Sequence, residues 1–169
     1  MDARDTPEQA ELRRSARQLA RELGPRTVAD LDDDKRIERL AGAVRDAGWL
    51  ELRHDGEGGA PLASGVEAAI IAEALGEAVA DVAFAGPVLA ADLARRAGVS
   101  PADGAVVAFS PDLIDAAVVL GAATTTPIYA VDCATESLAT VYVLVPEGGG
   151  YHLAQVQVEI GRASCRERV

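Results

Sequence analysis

With 169 residues and 49% hydrophobic content, the chain has room for one ordinary domain or one and a half, around a sizeable core. Its formal net charge is -11 and Lys35 is its single lysine, which excludes a phosphate-neutralising stripe and so argues against nucleic acid as a partner. The polar start MDARDTPEQAELRR shows no signal peptide, and the apolar runs stop well short of a membrane span, so a soluble, cytoplasmic protein is the expectation.

The first hundred residues read as helices. Thr6-Pro7-Glu8-Gln9 has the form of a capping box with proline at the first helical position. Leu12, Ala16, Leu19, Ala20 and Leu23 then recur at helical spacing until Gly24-Pro25. A second helix is expected from about Asp33, with Ile37, Leu40, Ala41 and Val44 on one face and Gly48 as its cap. Residues 49–59 read as a short extended piece and a glycine-rich turn, with Trp49 in the core. Ser64-Gly65-Val66-Glu67 is a second capping box, opening a helix apolar on nearly all sides and therefore expected to be buried. Residues 78–97 look helical again, with Pro87 breaking or kinking them.

After Pro101 the period changes. AVVAF, AAVVL, PIYAV, TVYVLV and YHLAQVQV are short β-branched runs divided by turn residues. The expected fold is α+β: an amino-terminal all-α bundle over residues 1–100, then a small, incomplete antiparallel β domain over residues 101–159. Ile160 to Val169 (IGRASCRERV) breaks with the acidic chain before it and is similar, residue for residue, to a translated short-read sequencing adapter. Residues 160–169 are accordingly expected to be an artefactual tail, with the natural frame continuing past Glu159.

Candidates for chemistry within the chain fail on their spacing. The acidic run from Asp30 to Asp34 starts like a calcium loop, but Lys35 and Ala41 stand where that loop needs glycine and glutamate. Gly56-Glu57-Gly58-Gly59 is followed by no Gly-Lys-Ser/Thr, and its glutamate would repel phosphate. His54 and His152 belong to no metal-binding spacing, and Cys133 and Cys165 make no disulfide framework. No catalytic residue and no metal ligand is assigned from the residues alone.

The order of elements decides more than any single motif. Gly48, then Gly58 and Gly59, then the buried helix ending Glu73, Leu75 and Gly76, resembles the helical amino-terminal domain of the acyl-CoA dehydrogenase family over roughly residues 6–100. The resemblance implies an acyl-CoA substrate and FAD, bound between a β domain and a carboxy-terminal helical bundle with help from a neighbouring subunit. It implies a homo- or hetero-oligomer of dehydrogenase-like subunits, and a carboxylate base in that final bundle. A chain lacking the bundle is expected to be inactive as it stands. Family members usually open the β domain with T-E-P-x-x-G-S-D; here only Ser110-Pro111-Asp112 stands near that point, so no FAD-contact residue is carried over. Gly86, Pro87 and Ala90 match the positions that line the distal end of the acyl pocket, and small residues there would leave room for a bulky acyl group. The alternative is a non-catalytic partner subunit, or a helical interaction module without enzymatic activity.

Overall fold

Helix α1 (Pro7–Leu23) starts where the sequence places it: the Thr6 side chain accepts from the Gln9 amide at 3.2 Å, and the Gln9 side chain returns to the Thr6 amide at 3.0 Å. This is a computed structural model, and it describes residues 5–110, 119–120, 123–124, 128–133 and 138–159. Asp33 caps α2 (Asp34–Asp46), and Gly48 follows it in the left-handed conformation, φ 69°. The Ser64–Glu67 box opens α3 (Gly65–Glu77), and α4 spans Ala85–Arg96. Helices α1 and α3 run in the same direction, tied by Gln9–Glu67, Arg13–Glu73 and Arg17–Glu77. Between them and α2 lies a core of Ala16, Ala20, Leu40, Val44, Trp49, Ile71, Leu75 and Phe84. Each large side chain here contributes about 1.5–3 kcal/mol by leaving water.

Three local expectations change. Residues 49–59 are not extended: Trp49–Glu51 and Glu57–Gly59 are single 3₁₀ turns, with Trp49 buried as expected. Helix α3 is buried on one side only, through Ile70, Ile71, Ala74 and Leu75, while Val66 is 51% exposed. Pro87 breaks nothing, because α4 begins only at Ala85 and the proline falls in its first turn, where amides have no intrahelical acceptor. Residues 78–84 form a non-helical connection instead.

That connection begins under strain. Ala80 donates to the Leu75 carbonyl at 2.9 Å and Val79 to the Gly76 carbonyl at 3.0 Å, a bond pair that normally places glycine at the left-handed position. Val79 holds it at φ 50° with the residue 74% exposed. Val79→Gly is therefore expected to stabilise the protein by about 0.5–1 kcal/mol, the relieved strain exceeding the added chain entropy. A thermal midpoint higher by roughly 1–4 °C would register it; an unchanged or lower midpoint would refute it.

The strands are β1 (Val106–Phe109), β2 (Val119–Leu120), β3 (Ala123–Thr124), β4 (Tyr129–Ala130), β5 (Leu138–Glu147) and β6 (Gly150–Glu159). β2 and β3 pair with each other, and the other four form a sheet in the order β4-β1-β5-β6. β5 and β6 make a hairpin in unbroken register from Leu138↔Glu159 to Glu147↔Gly150. Gly148 (φ 56°) and Gly149 (φ 89°) turn it, as a two-residue loop with positive φ at both positions requires. The fold is α+β as expected, with one correction to its antiparallel sheet: β1 pairs β5 in parallel, Val106 opposite Val141, so the sheet is mixed. A parallel partner demands a crossover, and the long stretch between β1 and β5 supplies it. One sheet face receives α4 through Ala90, Ala94, Ala105 and Tyr142; the other gathers Val106, Ala108, Val141, Val143 and Val156 into a second core. The expectations for residues 160–169, for Cys165, and for Pro111 and Asp112 lie outside the described residues.

Candidate functional site

A cavity of about 780 Å³ lies where the helices meet the sheet. Ile37, Ala41 and Val44 of α2 form one wall, Pro87, Ala90 and Ala91 of α4 another, and residues 101–106 close it with Asp132 and Cys133. Leu50, Val82 and Ala83 add apolar surface. The lining suits an aliphatic group that leaves water on entry.

Two of the three pocket residues named from the sequence, Pro87 and Ala90, stand in this wall. Gly86 is not part of the lining. It is buried against the sheet, where a Cβ would come within 2.0 Å of the Val131 carbonyl oxygen. Glycine there permits the close approach of two backbones. His54 and Cys133 also border the cavity, although neither carries a sequence signal for it.

The polar groups on the lining are Arg45, Glu51, His54, Asp81, Asp103 and Asp132, so carboxylates outnumber arginine. Asp81 is already committed: Arg36, 7% exposed at its side chain, grips it through two nitrogens. Hydrogen bonding from Arg36 holds the Asp81 carboxyl below its ordinary pKa, against the opposing pull of burial. Such a rim favours a neutral apolar group and disfavours phosphates. Among the described residues no group of three His, Cys, Asp or Glu side chains could hold a metal ion, and no helix is long and apolar enough to cross a membrane.

FAD has no cradle among these side chains. Its pyrophosphate would meet the carboxylates of Asp81, Asp103 and Asp132 on this lining. The described residues do not fit the cofactor by themselves.

Sequence reading passed over three residues that shape this site. Arg36 shares a face with Leu40 and Val44 at i, i+4 and i+8, a legible sign that it points inward. Asp81 and Asp132 carry no such sign, since their partners lie 45 and 48 residues away.

A helical domain walling an apolar cavity against a small mixed sheet is the class this arrangement defines. Residues 6–98 match the family of the acyl-CoA dehydrogenase N-terminal domain, and the chain belongs to that family. No curated protein and no solved structure matches the chain.

Proposed function

We propose that the chain is the amino-terminal part of a flavin-dependent acyl-CoA dehydrogenase, with a helical domain over residues 1–100 and a partial β domain over residues 101–159. The family match over residues 6–98 carries this reading. The cavity bordered by Pro87 and Ala90 supports it by offering an apolar recess for the acyl end of a thioester. In this reading the chain's own residues bind and desolvate the acyl group. FAD and the carboxylate base come from the rest of the assembled protein, cytoplasmic and oligomeric. FAD would supply the hydride acceptor for α,β-dehydrogenation.

A second reading has its own support. Ser110 stands near where a flavin-contact loop would open, without the rest of that motif, and the cavity rim is acidic. Both suit a non-catalytic subunit that works beside a dehydrogenase-like partner. The test is to purify the full gene product, alone and with such a partner, and record its visible spectrum before and after adding acyl-CoA without oxygen. Flavin absorbance that bleaches on addition is the expected result. Bleaching only in the mixed complex supports the partner-subunit reading, and a colourless protein that takes up no FAD in either form overturns both.

A further inference from the structure

Helix α4 begins without a cap of its own. Its N-cap position is Phe84, whose side chain cannot accept a hydrogen bond, and its first turn holds no acidic residue. The amides that a helix start leaves without acceptors must still be satisfied. Asp132, 48 residues later in the sequence, does this from the sheet: one carboxylate oxygen accepts from the Phe84 amide at 2.5 Å and from the Ala85 amide at 2.9 Å. Pro87 has no amide to satisfy, so Gly86 is the one donor left in that turn. The negative charge also sits where the helix dipole favours it.

Three further observations fix Asp132 in that place. The Val131 amide donates to the Val107 carbonyl of β1 at 2.9 Å, so the segment is anchored to the sheet. Asp132 has φ 56°, a left-handed conformation that aspartate tolerates better than most residues. Gly86 lets the Val131 carbonyl come close enough that a Cβ would stand 2.0 Å from it. Backbone contact, carboxylate and turn conformation thus act on the same turn of α4, the turn that carries Pro87 into the cavity wall.

We infer that Asp132 is a positioning residue that latches the start of α4 to the sheet and so holds the α4 wall of the cavity in place for a ligand. The ligand half of this rests on the acyl-binding reading above; the latch itself rests on the geometry. Without the carboxylate the first turn of α4 frays, and a ligand that needs this wall must re-order it.

Asp132→Gly separates the cap from the backbone, because glycine keeps the left-handed turn and lacks the acceptor. Asp132→Asn keeps both. In the full chain, amide exchange at Phe84 and Ala85 is expected to quicken about 5- to 30-fold in Asp132→Gly and to stay near the parent rate in Asp132→Asn. Binding of decanoyl-CoA, followed by calorimetry, is expected to weaken by a similar factor in the glycine variant and to be rescued by asparagine. Gly86→Ala, which leaves Asp132 intact and forces the segment off α4, should reproduce the glycine variant's exchange. Parent-like exchange in Asp132→Gly overturns the latch, and faster exchange with unchanged binding reduces Asp132 to a cap and overturns its positioning role. If the parent chain itself binds no decanoyl-CoA, the acyl-binding reading fails, and the exchange rates alone decide the latch.

Discussion

Asp81→Ala is expected to destabilise the protein by about 3–5 kcal/mol, because it strands the arginine that holds four segments together. Arg36 donates to the Leu23 carbonyl at 3.1 Å, to the Asp30 carbonyl at 3.0 Å and to Asp81 at 2.7 Å, and its second terminal nitrogen also reaches Asp81. The end of α1, the turn after it, the start of α2 and the connection before α4 therefore meet on one guanidinium. With its side chain 7% exposed, Arg36 has little water to turn to when the carboxylate goes. The thermal midpoint should fall by roughly 6–20 °C. Replacing both partners by apolar residues (Arg36→Met with Asp81→Leu) is expected to recover much of the loss, since no unpaired charge then stays behind. Circular-dichroism melts of the two variants decide it. A loss below about 0.5 kcal/mol in Asp81→Ala would mean that the arginine re-solvates and the junction does not depend on the pair.

Local chemistry was legible in the sequence, and distant partnership was not. Both serine/threonine capping boxes and the αL glycine after α2 were readable because each involves residues within four positions of one another. The strand runs were readable from β-branched content, yet that content is silent on partners, so the parallel β1–β5 pairing escaped it. Pro87 misled for a related reason: a proline's effect depends on where the helix begins, and Phe84 gives no capping signal of that start. The missing signal is Asp132, which sits in another segment altogether. Pro87 and Ala90 were reached only through family likeness. Gly86, named through the same likeness, packs against the Val131 carbonyl instead of bordering this cavity.

The other large effect is expected at Asp92, on α4 near the cavity wall. Its two oxygens collect three arginines: Arg53 at 2.7 Å, Arg95 at 2.9 Å and Arg96 at 2.7 Å. Arg53 and Arg95 also reach back to the Ala63 and Gly59 carbonyls, so this one carboxylate fastens the residue 53–63 loop to α4. Burial pushes its pKa up, but hydrogen bonds from Arg95, Arg96 and Arg53 outweigh that and hold it down at about 2. A carboxyl whose pKa is lower in the folded chain stabilises it above the unfolded value of 3.8, and that contribution fades as pH falls through about 2. With the side chain 17% exposed, solvent screening leaves roughly 1–2 kcal/mol of such pH-dependent stability. Asp92→Ala costs more at neutral pH, about 3–5 kcal/mol, because Arg53 and Arg95 are left facing each other at 12% and 14% exposure. Asp92→Asn keeps one of the two accepting oxygens, enough for Arg53 and Arg95, and loses the charge and the acceptor for Arg96, so its stability should vary less than the parent's between pH 4 and pH 2. Urea titrations across that interval measure the difference directly. Parallel pH curves for parent and Asp92→Asn would show that the three arginines contribute geometry at this site and no net charge stabilisation.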